Sequence, residues 1–404
     1  MSDKKGSKTA ILQALRIHGP LSRIELTKSV NLSRAAISMA VSELMDCRLI
    51  QETVDRQSTG GRPATSLELA SDSHLILGAD FDNRIWTLGA FDLMGNIYDV
   101  TKIPVNDSSP YTVVNALISQ MQSFVKKLDK SPIKLLGLGM PGLVDSAGSL
   151  IYSAADIGWH NVNVGKIVNE ETGWPTVIIN RHRARGISEC RFGSAREYRQ
   201  IIYVGIGTGI AAGFFQNRML ITGSIGGAGE LGHMTVIPDG PVCPCGNRGC
   251  LQTLSSGPVL EQEARILLRH GENSIICQDP NYDIQLIKAE DICIAADKGD
   301  ELAMKVVYNA ADYMGIALAN LVNLFNPEAI ILGGPIPRTS KYYVKIATSI
   351  MKQRAMSPLA ASVIVRTASF KEIGGAIGAA NYALDKYISF NLMVDTKNPK
   401  ADES

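Results

Sequence analysis

The sequence predicts an α/β protein in which an N-terminal winged helix-turn-helix precedes a body of two like lobes. Three observations point there. The first fifty residues carry short apolar stripes at helical spacing, broken by caps and a Gly-Pro stop. Beyond residue 70, strand-like and helix-like stretches alternate. A strand-turn-strand plan near residue 75 returns about 125 residues later. With 404 residues, 45% hydrophobic and 20% charged, the chain exceeds one ordinary core and can fill two or three.

In "KTAILQALRIHGPLSRIELTKSVNLSRAAISMAVSELMDCRLI", Ile11, Leu12 and Leu15 recur at helical spacing until Gly19-Pro20 ends the first helix. Ser22 and Glu25 form a capping box for a second, with Ile24, Leu26 and Val30 expected to face inward. Asn31-Leu32-Ser33 turns the chain, and Ser33 caps a third helix whose stripe is Ile37, Val41 and Leu44. Helix, turn and capped helix is the helix-turn-helix arrangement, which puts Ser33, Arg34, Ala35 and Ser38 where base edges are read. "LIQETVDRQSTGGRPATSLELA" then alternates on either side of a glycine pair, as a hairpin wing does. At its tip Gly60 and Gly61 remove bulk, Pro63 holds the chain extended, and Arg62 supplies a cation suited to a narrow minor groove.

Charge agrees with this division. Residues 1–65 hold ten bases and six acids, a balance of +4, so with a total of +1 the rest carries −3. A basic head on a slightly acidic body suits an anionic partner such as operator DNA. "MSDKKGSKTA" is polar with no apolar core behind it and predicts no signal peptide, and the least charged run, 201–215, is too short and glycine-rich to span a membrane. Seven cysteines, an odd number and mostly scattered, argue against a disulfide framework and for a cytoplasmic location.

In the body, "HLILGADFDNRIWTLGAFDLMGNI" reads as strand, turn, strand, turn, and "QIIYVGIGTGIAAGFFQNRMLITG" repeats it. "ELAMKVVYNAADYMGIALANLVNLF" has the spacing of a buried helix closed by Asn326-Pro327. "LGLGMPGLVDSAG", "DIGWHNVNV", "GIGTGI", "GGAGELGHMTV", "CPCGNRGCLQT" and "AIILGG" occur in the order found in the ROK family, named for repressors, open reading frames and kinases. The body resembles that family through nearly its whole length, and the head matches its repressor branch. The resemblance implies an actin-like, hexokinase-like pair of lobes closing on a sugar. Expected bounds are a head over 1–70, a first lobe over 71–196 joined by a C-terminal helix at 381–392, a second lobe over 197–380 with a metal loop at 233–250, and a polar tail over 393–404.

His233, Cys243, Cys245 and Cys250 have the chemistry of a closed tetrahedral zinc site, which leaves no position for activated water and is therefore structural. Similar ROK proteins carry zinc on the matching His and three Cys. The alternative is a set of free thiols; a redox pair would have two residues between its cysteines rather than one.

Catalysis by the family's route is expected to be absent, so no catalytic residue is assigned. Family kinases take the proton of the attacking hydroxyl with the Asp of an Asn-Asp pair, whereas this chain has Asn180 followed by Arg181, a cation that cannot act as base. Their first phosphate turn reads Asp-Ile-Gly-Gly-Thr; here it is Asp80-Phe81-Asp82-Asn83-Arg84. Ala211 and Ala212 replace glycines after Gly207-Thr208-Gly209. By resemblance Asn180, Glu230 and His233 line the sugar pocket, with Arg181 at the cleft and Gln252 in place of a usual Glu. Arg181 would meet a sugar phosphate or fill the space left by a sugar without a hydroxymethyl group, such as xylose. The other cations of "RHRAR" are expected at a solvated or salt-bridged surface. The function expected is a sugar-responsive repressor of a carbohydrate operon, acting as a homodimer or higher homo-oligomer. Its rivals are a sugar kinase with an added DNA-binding head and a regulator controlled by a protein partner.

Overall fold

The computed structural model describes residues 2–54, 65–277 and 283–388. The wing-tip residues Gly60, Gly61, Arg62 and Pro63 and the tail 393–404 lie outside the described residues. The head is built from α1 (Ser2–His18), α2 (Arg23–Val30) and α3 (Arg34–Asp46), followed by antiparallel β1 (Ile50–Val54) and β2 (Thr65–Leu69). Gly19, at a φ of +77°, ends α1 where a side chain would be strained. The Ser22–Glu25 capping box opens α2, and Ser33 Oγ accepts from the Ala36 amide to open α3. Ile11, Leu12, Leu15, Leu26, Ile37, Val41 and Leu44 are all buried. Ile24 is not: it is 61% exposed. It stands two positions before Leu26, which puts the pair on opposite sides of one helix, so of the two only Leu26 can face inward.

The body opens with β3 (Leu75–Asp82), β4 (Ile85–Asp92) and β5 (Ile97–Pro104), joined by tight turns and antiparallel. Then come α4 (Pro110–Lys127), β6 (Pro132–Met140), short β7 (Leu143–Val144), β8 (Ile151–Ala154) and β9 (Trp159–Val162), α5 (Val164–Thr172), β10 (Thr176–Asn180) and α6 (Arg181–Arg191). The sheet runs β10-β6-β3-β4-β5, with β3, β6 and β10 parallel.

The second sheet has the same plan. β11 (Ile201–Ile206), β12 (Ile210–Gln216) and β13 (Met219–Ile221) form an antiparallel meander. After α7 (Gln252–Ser255), α8 (Gly257–Arg269), α9 (Ala289–Asp297) and α10 (Glu301–Phe325) come β14 (Ala329–Gly333), α11 (Pro335–Thr339), α12 (Lys341–Arg354), α13 (Ser357–Ser362) and β15 (Ile364–Thr367). The order β13-β12-β11-β14-β15, with β11, β14 and β15 parallel, reproduces the first sheet strand for strand. Helix α10 stops at Asn326, which takes the left-handed conformation just before Pro327, as its sequence implies.

The last helix, α14 (Gly374–Tyr387), returns to the first sheet. Two compact units result: 1–153, 159–192 and 372–404, which includes the head, and 154–158 with 193–371. The second therefore ends before 380, and the C-terminal helix begins at Gly374 rather than 381. Its glycine-rich start is what lets it approach so closely. A Cβ on Gly378 would lie 1.7 Å from the Ala184 carbonyl oxygen of α6, so the two helices touch backbone to backbone.

Candidate functional site

Three parallel strands of the first unit end together. Asn180 of β10 pairs with Met140 of β6, and Gly139 of β6 pairs with Asp80 of β3. The carboxyl edge of a parallel sheet is where α/β folds take ligands. Asn180 is the N-cap of α6: its side-chain oxygen accepts from the His182 and Arg183 amides, at 3.0 and 3.4 Å, and its Nδ2 donates to the Gly142 carbonyl at 2.9 Å. It thereby fixes the glycine turn 139–142 against the start of α6.

Arg181 follows directly and is 5% exposed. Its Nη1 lies 3.2 Å from Asp82 Oδ1. The other oxygen of Asp82 accepts from Arg185 Nη2 at 2.8 Å, and the same nitrogen donates to Asp80 Oδ2 at 2.7 Å. Arg181 and Arg185 are four residues apart on one helix face, so both reach the end of β3. The two departures from the kinase pattern, a cation for the base and a carboxylate in the phosphate turn, are one ion pair. Burial alone would push Asp82's carboxyl up, but Arg181 and Arg185 beside it hold it well below the usual carboxylate range. Asp80 is shifted the other way, because burial outweighs the help from Arg185. His182 stays neutral well below its ordinary range, through burial first and the two arginines second.

The expectation of a solvated or salt-bridged surface for His182, Arg183 and Arg185 fails on exposure, since all three are buried like Arg181, but Arg185 is indeed ion-paired. Helix α14 covers α6, and the carboxylates that balance Arg181 and Arg185 come from β3, far away in sequence. The reading of Ala211 and Ala212 also changes. They lie inside β12, opposite Gly205 and Val204, so they do not degrade the turn at Gly207-Thr208-Gly209.

In the second unit, Glu230 precedes a short 3₁₀ turn, Leu231–His233, and 234–252 folds back on itself. Thr235 bridges Cys250, Val242 bridges Arg248, and Leu251 N–H donates to the Met234 carbonyl at 2.9 Å. Gly249, at φ +66°, permits the tightest point, where a Cβ would sit 1.7 Å from the Ile237 oxygen. The ligand atoms of His233, Cys243, Cys245 and Cys250 all lie within 4.8 Å of one another. His233 Nδ1 is 3.7 Å from Cys243 Sγ, and Cys245 Sγ is 3.8 Å from Cys250 Sγ. A tetrahedron with zinc–sulfur bonds of about 2.3 Å has edges of about 3.8 Å. The donor set and its spacing therefore fit zinc. Gln252 Nε2 donates to Cys243 Sγ at 3.3 Å, a hydrogen bond that a Glu could not make as a carboxylate. Nδ1 faces the sulfurs, which leaves the other ring nitrogen of His233 for a different partner.

On the head, Ser33, Arg34, Ala35 and Ser38 are exposed together on the first turns of α3, while Ile37 and Val41 turn inward. Their side chains form one outward face, apart from the Ser33 hydroxyl, which also caps the helix.

A duplicated five-stranded sheet behind a three-helix head with a two-stranded ribbon defines the class: a sugar-kinase-like body carrying a separate N-terminal head. The chain belongs to the ROK family, whose signature matches residues 78–386. It is 28% identical over 396 residues to the xylose repressor of Bacillus subtilis (strain 168), covering 96% of this chain and 98% of that protein. A crystal structure described as a ROK family transcriptional regulator, homolog of the E. coli MLC protein, superposes with a TM-score of 0.80 at 26% identity, over 98% of this chain and 99% of that one. A ROK glucokinase from Streptomyces griseus, in complex with glucose and AMPPNP, superposes with a TM-score of 0.69 at 25% identity, over 99% of its own chain but 76% of this one. No helix among the described residues is long and apolar enough to cross a membrane.

Proposed function

We propose that this protein is a sugar-responsive transcriptional repressor whose body binds a carbohydrate without phosphorylating it. The observation that carries the reading is the Arg181–Asp82 pair. It occupies the place where transfer from ATP would require a proton acceptor beside an open glycine turn. Two guanidiniums, Arg181 and Arg185, face two carboxylates, Asp80 and Asp82. No cation of that set is left over for a phosphate, so the effector is an uncharged sugar rather than a sugar phosphate.

The sugar contacts in this reading are Asn180, Arg181, Glu230 and His233. Gln252 supports them through the metal loop. Zinc on His233, Cys243, Cys245 and Cys250 supplies rigidity and no chemistry: it holds the loop that presents Glu230. Ser33, Arg34, Ala35 and Ser38 read operator DNA, and Gly60, Gly61, Arg62 and Pro63 add contacts to it. Because one small head contacts few base pairs, operator recognition takes a two-fold pair of chains. Sugar binding shifts the chain toward a state with lower operator affinity.

Calorimetry with D-xylose, D-glucose, glucose 6-phosphate and xylulose 5-phosphate tests the effector class. An uncharged sugar is expected to bind at least about tenfold more tightly than any phosphorylated one, a difference of about 1.4 kcal/mol. Tighter binding of a phosphate ester would overturn it.

A further inference from the structure

The helix that carries Arg181 at one end reaches, at the other, a carboxylate of α14 that also holds the head. Arg16, in the last turn of α1, is 7% exposed although it is charged. Its Nε donates to Asp385 Oδ1 at 2.9 Å, and its Nη2 donates to the Asn381 carbonyl at 3.1 Å and to the Asn381 side-chain oxygen. Asn381 is itself fixed, its Nδ2 donating to the Ile377 carbonyl at 2.7 Å within α14. Burial pushes the Arg16 guanidinium down to about 10. Asp385 is shared. Arg191, the last residue of α6, donates to its Oδ1 at 3.0 Å from Nη1 and to its Oδ2 from Nη2. One carboxylate thus receives an arginine from the head and an arginine from α6.

We infer that the Arg16–Asp385–Arg191 triad is the link through which sugar at the start of α6 sets the position of the DNA-binding head. Helix α6 is a single eleven-residue rod from Arg181 to Arg191, and its contact with α14 at Gly378 leaves no room for the two to slide. A displacement at Arg181 therefore carries α6 and α14 together, and with them Asp385. Because Arg16 is buried, the head cannot let go of Asp385 without leaving that guanidinium desolvated and uncompensated, so it follows. Arg16, Asp385 and Arg191 are positioning residues in this scheme and touch neither sugar nor DNA.

The inference rests on the proposed sugar response, and the test separates the two. Wild type and Arg16→Met, which keeps length and packing but removes the charge, are titrated onto a duplex that the wild type has selected from random-sequence DNA. Each is measured with and without saturating D-xylose and D-glucose, and sugar affinity is measured separately by calorimetry. Wild type should lose operator affinity on the order of tenfold or more with one of the sugars. Arg16→Met should bind that sugar within about threefold of wild type, yet change operator affinity less than about twofold on sugar addition. An unchanged response in Arg16→Met overturns the triad's role and leaves the sugar-responsive reading standing. A wild type that binds sugar with no operator response overturns both. If Arg16→Met does not fold, Arg16→Lys, which keeps the charge but cannot span Asp385 and Asn381 together, is judged by the same two outcomes.

Discussion

Stripping the metal with a chelator is expected to lower the thermal midpoint of the second unit by roughly 10–20 °C and to abolish sugar binding. Structural zinc contributes on the order of 10 kcal/mol to small folded peptides. Half of that, in a unit of this size, shifts a midpoint by about that much. The loop has little else to hold it. Between Met234 and Leu251 it is pinned by isolated bridges and a few backbone hydrogen bonds, and Cys245 is exposed. Without the metal, three thiols and an imidazole lose their common partner, and the loop no longer holds Glu230. Elemental analysis should find about one zinc per chain, and zinc but not magnesium should restore both midpoint and binding. Cys250→Ser should behave as the stripped protein does. Full sugar affinity after complete removal of zinc would reject the clamp.

The second large effect lies at Asp82. Asp82→Asn removes the carboxylate that Arg181 and Arg185 share, and Arg181→Gln removes one of its cations. Each alone is expected to lower the stability of the first unit by about 2–4 kcal/mol, because Arg181 is buried, Asp82 is largely so, and breaking one side of the pair leaves an uncompensated charge. The double mutant should lose clearly less than the two together, with a coupling energy of about 1–3 kcal/mol in urea unfolding. Independent residues would add to within about 0.5 kcal/mol. The sign with pH follows from Asp82's low position: the stability it contributes is present above the ordinary aspartate range and is lost as pH falls through its depressed value.

Much of the head and of the duplicated body is legible in the chain itself, because the signals are local. Caps at Ser22 and Ser33, the stop at Gly19 and the turn at Asn326 each act within a few residues. The metal loop is legible for the same reason, since its four ligands fall within eighteen residues. What escapes is long-range pairing. Arg181 and Asp82 look like two separate losses along the chain, and nothing local says that they neutralise each other across 99 positions. The buried "RHRAR" segment misleads for a related reason. Two of its three arginines, Arg181 and Arg185, sit at i and i+4, which hints at a shared face, but their acceptors lie on β3. Arg16 and Asp385 are further apart still, separated by 369 positions, and only packing reveals them as partners. The alanines after Gly209 show the opposite error: a motif comparison assigns them to a turn, whereas the register puts them in a strand.

The most direct measurement follows both outputs of the body in one tube. Labelled operator is held by the full-length chain in the presence of magnesium and ATP, and D-xylose or D-glucose is added while DNA binding and sugar phosphorylation are monitored together. The operator is expected to be released and the sugar to be recovered chemically unchanged. A sugar phosphate accumulating at enzymatic turnover, or an operator that stays bound while the sugar occupies its site, would contradict it.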